Sequence, residues 1–228
     1  MPGVRAMRTV IFVNGEINNP EQVKAILREN DRIICADGGT RHALALGLTP
    51  HAVVGDLDSL EPGQRRQLEA IGCRMIVYPR RKDETDLELA LSYAITTGAD
   101  EILILGALGD RLDQTLANLL LLARPEWSAA QLVLADGHQK ATVVRRHLAI
   151  QGAVGETISL IPLSPIVTGI TTQGLEWTLR DDELRFGSTR GISNVMTAPE
   201  AHVWVGAGVL LVIQMRISES ASQRRTDE

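Results

Sequence analysis

Aromatic residues are scarce in this chain: two Phe, two Tyr and three Trp make up only 3% of its 228 residues. So few rings exclude a stacking platform for single-stranded nucleic acid. Cations are outnumbered as well, with 23 Lys and Arg against 28 Asp and Glu, for a net charge of −5. That balance argues against duplex nucleic acid, whose binding rests mainly on cation–phosphate contacts. There are two cysteines, Cys35 and Cys73, each in apolar surroundings. They read as reduced, buried thiols, with a single disulfide as the alternative. No C-x-x-C pair or His-rich spacing suggests zinc. No apolar stretch reaches transmembrane length. The run after Arg5 and Arg8 ends at Val13, too short for a signal-peptide core with its cleavage site. A soluble, cytoplasmic protein without a membrane or nucleic-acid partner is expected.

Three catalytic motifs are also missing. Without G-x-x-x-x-G-K-S/T the chain is not a P-loop nucleotide triphosphatase. The lack of G-x-G-x-x-G after the first strand weighs against a dinucleotide-dependent oxidoreductase, and no G-x-S-x-G elbow supports a serine hydrolase. A small, highly charged ligand carried with a metal remains compatible.

What is present is an ordinary globular composition, 44% hydrophobic and 22% charged. Apolar, β-rich runs at Thr9–Val13, Arg32–Ala36, Ala52–Val54, Arg74–Val77, Glu101–Leu105 and Gln131–Ala135 predict six strands. Helix-like stretches lie between them near 20–29, 40–46, 61–71, 85–97 and 113–123, with apolar stripes at Leu87, Ala90, Leu91, Ala94 and at Leu116, Leu119, Leu120, Ala123. Strands separated by helices imply right-handed crossovers and a doubly wound, mainly parallel α/β sheet over residues 1–140. From 141 to 217 the pattern turns to strands alone: Thr157–Leu163, Gly174–Leu179, Glu183–Phe186 and Ala201–Ile213, with a hairpin at Gly206-Ala-Gly208. A small antiparallel β-sandwich is expected there, followed by a disordered tail at 218–228.

Polar motifs follow the strands in order: Asn14-Gly15, Asp37-Gly38-Gly39, Gly55-Asp56-Leu57-Asp58-Ser59, Lys82-Asp83-Glu84-Thr85-Asp86 and Gly106 to Asp113. Ligands of open parallel sheets sit outside the carboxyl ends of the strands, so these motifs converge on one cleft. Each has a local explanation. Thr85-x-x-Glu88 is a capping box, Asp86 suits a helix dipole, Asp113 could cap its helix, and Asp37-Gly38-Gly39 could be a tight turn. Together they are harder to explain that way. Asp56 and Asp58, two apart in an extended segment, share a side, and Asp86 and Asp113 would crowd the same edge. A like-charge pair ~4 Å apart costs about 4 kcal/mol at an effective dielectric near 20. A divalent cation offsets such a cluster, and all-oxygen ligands beside a glycine loop favour Mg2+ over zinc.

In this order the motifs resemble the thiamine pyrophosphokinase family along almost the whole chain. Its landmarks are Asp-Gly-Gly, Gly-Asp-x-Asp-Ser, Lys-Asp-x-Thr-Asp and a glycine loop ending Arg-x-Asp-His. A β domain follows, matched here by Gly174-Leu175-Glu176-Trp177 and by Ser188 to Asn194. Two departures stand out: Gln114 replaces the family's His, and Asp110 stands where Gly is common. The resemblance implies ATP as co-substrate, attack of the thiamine hydroxyl on its β-phosphorus, and a homodimer with thiamine between one α/β domain and the partner's β domain. Asp56, Asp58, Asp86 and Asp113 are the expected metal and catalytic residues. Asp37, Gly38, Gly39, Lys82, Gly106, Gly109, Arg111 and Gln114 are expected to bind ATP; a solvated basic turn is the other reading of Lys82. Trp177, Ser193 and Asn194 are the thiamine candidates, although a tryptophan on a strand reads first as core. Two rival functions are a pyrophosphokinase acting on a pterin alcohol and a non-catalytic nucleotide sensor.

Overall fold

The computed structural model describes residues 7–217. They divide into two compact units, with the boundary between Gly137 and His138. The expected tail at 218–228 lies outside the described residues.

In the first unit six strands alternate with five helices: β1 (Arg8–Phe12), α1 (Pro20–Ile26), β2 (Arg32–Ala36), α2 (Thr40–Ala45), β3 (Ala52–Gly55), α3 (Pro62–Ala70), β4 (Arg74–Val77), α4 (Asp86–Thr96), β5 (Glu101–Leu105), α5 (Leu112–Leu121) and β6 (Gln131–Ala135). The strand order is β6-β5-β1-β2-β3-β4, and every pair is parallel. From β1 the chain winds outward through β2, β3 and β4, then returns to place β5 on the other side of β1. The loops after β1 and β5 therefore flank the point where the winding reverses, the usual position of a ligand crevice.

The strand sequences explain this sheet. β1, β2 and β5 are continuous apolar runs buried on both faces, as a helix-covered parallel sheet requires. Val10, Phe12, Cys35, Val53, Leu103 and Leu105 join one core cluster, while the alternate residues Ile11, Ile34 and Ile104 are buried on the opposite face. Both cysteines are free and buried; desolvation pushes the Cys35 thiol well above its ordinary range. Helix α4 begins at the predicted cap, where Thr85 Oγ1 accepts from Glu88 N at 3.2 Å. The other half of the predicted capping box does not form, because the Glu88 carboxylate pairs with Arg124 instead. Helix α5 departs from its predicted stripe in burial: Leu116 and Leu120 stay exposed, as does Leu112.

The second unit is a sandwich of two antiparallel sheets. Its strands are β7 (Gln139–Val144), β8 (His147–Gln151), β9 (Thr157–Pro162), β10 (Ile166–Gln173), β11 (Asp182–Arg185), β12 (Asn194–Val195), β13 (Glu200–Trp204) and β14 (Leu210–Met215). Within it the orders are β12-β9-β14-β7 and β11-β10-β13-β8. Ile158, Leu160, Leu210 and Val212 of the first sheet pack with Ile150, Ile170, Leu184 and Val203 of the second. A buried polar lock closes one end, where Gln214 Nε2 donates to Glu156 Oε2 at 2.6 Å and to Gln151 O at 3.0 Å.

Two expectations for this unit are corrected. Gly174–Leu179 is not a strand: beyond Leu175, the Trp177 backbone bonds to the Asn194 side chain rather than to a neighbouring strand. Gly206-Ala-Gly208 is not a hairpin. β13 pairs with β10 and β8, whereas β14 pairs with β9 and β7, so this turn carries the chain from one sheet to the other. Among the described residues no helix is long and apolar enough to cross a membrane.

Candidate active site

The cleft of the first unit is assembled from loops at the carboxyl ends of its strands. The loops after β1 and β5 are zipped together by backbone bonds: Val13 N to Leu105 O at 2.8 Å, Gly15 N to Gly106 O at 2.7 Å and Glu16 N to Leu108 O at 2.9 Å. A Cβ on Gly15 would lie 2.4 Å from the Gly106 and Leu108 oxygens, so only glycine allows this approach. Helix α2 fastens the same loop. His42 Nε2 donates to Gly15 O at 2.8 Å, and Arg41 Nη2 donates to Asn14 O and Gly15 O at 3.1 Å each. Burial lowers the His42 pKa, favouring the neutral ring that still donates through Nε2.

Asp37-Gly38-Gly39 forms a 3-10 turn into α2. A Cβ on Gly39 would fall 2.1 Å from Phe12 O, and one on Gly38 would strike the Asn14 amide. The turn is thus pressed against β1, which sets Asp37, in a left-handed conformation with φ 38°, at the sheet edge. Asp37 is 8% exposed. Its Oδ2 accepts from Ser59 Oγ at 2.5 Å, while Oδ1 is buried with no hydrogen-bond partner.

Carboxylate oxygens of Asp37, Asp56 and Asp58 lie within 4.8 Å of one another. The two later residues arrive by a different route from the one predicted. The segment is not extended, because Leu57 has φ 61°, and Asp58 N donates to Asp56 Oδ1 at 3.2 Å. A kink, not strand alternation, turns both carboxylates toward Asp37. Arg80 Nη2 stands 3.3 Å from Asp58 Oδ2. Asp86 flanks the group: a Cβ on Gly55 would sit 2.9 Å from Asp37 Cβ and 3.1 Å from Asp86 Oδ1. Its Oδ1 pairs with Lys82 Nζ at 2.5 Å, and Lys82 is largely buried, not a solvated turn. Asp113 lies apart from the group. It is exposed and held by Arg111 through contacts of 2.9 and 2.6 Å, and these hydrogen bonds draw its pKa down to about 2.

The cleft measures about 630 Å³ and takes in Asp37, Gly38, Asp56, Lys82, Asp86, Gly106, Gly109, Arg111 and Gln114. Gly39, Asp58 and Asp113 fall outside its lining. Asn14, from the first of the predicted polar motifs, lines it too, as do Arg41, Arg80 and Asn118, which were not singled out from the sequence. The residues fit a hard divalent cation. The donors are all oxygen, three anionic groups converge, and a buried carboxylate oxygen has no protein partner.

The second unit has its own cavity of about 720 Å³, lined by Glu176, Trp177, Arg190, Ile192, Ser193 and Asn194 among others. Trp177 is 59% exposed and so is not a core tryptophan. Asn194 is buried, with its amide already engaged: Oδ1 accepts from Trp177 N at 3.0 Å and Val195 N at 2.9 Å, and Nδ2 donates to Trp177 O at 2.7 Å. Its side chain holds Trp177 in place. Ser193 has φ 62°, and its N donates to Ser159 Oγ at 3.2 Å.

Fold and site together define a two-unit protein with an acidic, glycine-lined cleft on a doubly wound sheet and a separate cavity on a β-sandwich. Residues 23–134 match the family described as thiamin pyrophosphokinase, catalytic domain, and 145–210 match thiamin pyrophosphokinase, vitamin B1 binding domain. Over 211 residues the chain is 29% identical to the thiamine pyrophosphokinase of Bacillus subtilis, covering 91% of this chain and 99% of that one. The crystal structure of the Bacillus subtilis protein superposes with a TM-score of 0.82 at 27% identity, covering 92% of this chain and all (100%) of that one. The Geobacillus thermodenitrificans thiamin pyrophosphokinase structure gives 0.80 at 25% identity, covering 93% and 99%. The chain belongs to the thiamine pyrophosphokinase family.

Proposed function

We propose that this protein transfers the pyrophosphate of ATP to the hydroxyl of thiamine, giving thiamine diphosphate and AMP. The observation that carries this reading is the Asp37, Asp56 and Asp58 group beside the cleft of the catalytic unit. ATP resists nucleophilic attack through its own charge, so catalysis of this class is mainly positioning and charge neutralisation. Asp37, Asp56 and Asp58 would hold Mg2+, with Asp86 alongside. When bound, the cation supplies positive charge to phosphate oxygens. The zipped glycine loops offer a floor that phosphates can approach closely. Lys82, Arg111, Arg80 and Arg41 bring cationic groups to the same cleft. The thiamine oxygen forms a bond to the β-phosphorus as the bond to the α-phosphate oxygen breaks, and AMP departs with that oxygen. A carboxylate of the group receives the hydroxyl proton or passes it to water.

Thiamine recognition is assigned to the second unit, where exposed Trp177 offers a ring face to a cationic thiazolium. Asn194 then acts by fixing Trp177, and Ser193 stands next to it. We extend the proposal to a homodimer in which thiamine meets the cleft of one chain and the Trp177 surface of its partner. The exposed leucines of α5 support an association surface. A cytoplasmic location fits two free thiols and an ATP-dependent reaction.

The test is an assay of AMP release with Mg2+ and thiamine, a pterin alcohol, or no acceptor. Release is expected with thiamine alone and is expected to vanish on chelation of the metal. Equal release with the pterin alcohol, or none with thiamine, rejects the assignment.

A further inference from the structure

The outward face of the sheet β11-β10-β13-β8 carries a cluster that neither cavity uses. Strand register sets His147 of β8 opposite Trp204 of β13, and His202 opposite Ala149. Alternation along β13 puts Glu200, His202 and Trp204 on this face, while Ala201 and Val203 between them are buried. The imidazoles approach nitrogen to nitrogen, with His147 Nε2 3.2 Å from His202 Nδ1. Their planes differ by 13°, and the Trp204 ring centroid lies 5.1 Å from that of His147 and 5.2 Å from that of His202.

On the far side of His202, Glu200 Oε1 stands 3.7 Å from Nε2. Gln151 Nε2 donates to that same carboxylate oxygen at 2.8 Å. At this distance the carboxylate makes no hydrogen bond to the ring, but its charge favours the proton on the nearer nitrogen and the lone pair on the other. The free pair of His202 is then on Nδ1, which faces His147.

We propose that His147 Nε2 and His202 Nδ1 bind one divalent cation of the first transition row, such as Zn2+, Ni2+ or Cu2+. Imidazole suits these ions, whereas Mg2+ prefers oxygen. With metal–nitrogen bonds of ~2.0–2.1 Å, two ligands of a tetrahedral site stand roughly 3.3 Å apart. The imidazole nitrogens already have nearly this spacing. Binding requires His147 to carry its proton on Nδ1 and the half-exposed rings to turn their lone pairs to a common point. Water fills the remaining positions. The bound ion ties edge strand β8 to β13, so it stabilises the sheet at its open edge. This site is independent of the proposed reaction.

Titration calorimetry with Zn2+ in excess Mg2+, which occupies the oxygen site, is expected to show one saturable event per chain. His147→Gln and His202→Gln are each expected to abolish it; both change surface side chains, and circular dichroism checks that the variants are folded. Ni2+ or Cu2+ is expected to quench tryptophan emission, and Trp204→Phe to remove that quenching while keeping the Zn2+ event. The proposal is overturned by Zn2+ binding that survives either histidine substitution, by quenching that persists in Trp204→Phe, or by no saturable event below ~1 mM.

Discussion

A buried carboxylate oxygen with no partner is costly, and Asp37, one of the three acidic residues that converge here, holds one. Asp37→Asn keeps the shape and can still accept from Ser59, but it removes one negative charge. Without metal, the thermal midpoint is expected to hold or rise, while turnover falls by about 10²–10³-fold. A fall in both would mean that Asp37 serves the fold alone. Gln114 cannot titrate, and a loose transition state asks little of a proton carrier. Gln114→His is therefore expected to change turnover by less than about tenfold, or ~1.4 kcal/mol; a much larger gain would show that proton handling had been missing. Asp113 has a depressed pKa, so its ion pair is fully formed above the ordinary value of 3.8 and is lost as pH falls through about 2. Both partners are exposed, so the effect is local rather than global. Carboxyl NMR is expected to show Asp113 titrating near that low value, and returning toward the ordinary range when a bound nucleotide draws Arg111 to phosphate. The sequence made Asp56, Asp58, Lys82 and Asp86 legible because they follow strands. It named Asp37 as a nucleotide-binding candidate but hid its approach to the Asp56 and Asp58 carboxylates. That approach depends on a left-handed backbone and on Ser59, 22 positions away.

At the scale of elements, the first unit was readable because its strands are short apolar runs and three of its helices open with a local signal: Asn19 and Pro20 at α1, Pro62 at α3 and Thr85 at α4. The second was less so. β7 and β8 are half-buried and interrupted by Arg145-Arg146, which conceals their alternation. The Gly174–Leu179 segment looks β-like, but at Trp177 the Asn194 side chain, distant in sequence, takes the backbone bonds that a strand partner would have made. The turn at Gly206 could not reveal from local residues which sheet β14 would join. Glycines separate close approach from simple tolerance. Gly15→Ala forces the loops after β1 and β5 apart, so both activity and thermal stability are expected to drop sharply. Gly63 in α3 has nothing within 4 Å of an added Cβ. Gly63→Ala is expected to add about 0.5 kcal/mol, raising the melting temperature by ~1–2 °C without changing turnover. Equal behaviour of the two variants in melting and steady-state assays would contradict the zipped-loop account.

For the whole molecule, the acidic cleft lies in the first unit and the Trp177 cavity in the second. If a two-fold pair shares its sites, Asp56→Asn and Trp177→Ala damage different halves of each. Mixed after subunit exchange, these inactive variants are expected to regain AMP production, because one heterodimer site is intact. Sedimentation first establishes that heterodimers form; heterodimers without activity would exclude a shared site. The crossing from β13 to β14 has a further consequence, for synthesis on the ribosome. All strands of the first unit have been made once Ala135 is added, whereas β14, the strand between β9 and β7, runs to Met215. At about 5–20 residues per second the second unit waits on the order of ten seconds for its central strand. During that interval β7 and β9 both present unpaired edges to the cell. A nascent chain stalled before Leu210 would thus be a folded catalytic half trailing an adhesive, unfinished one, and a natural client for chaperones that hold strand edges apart.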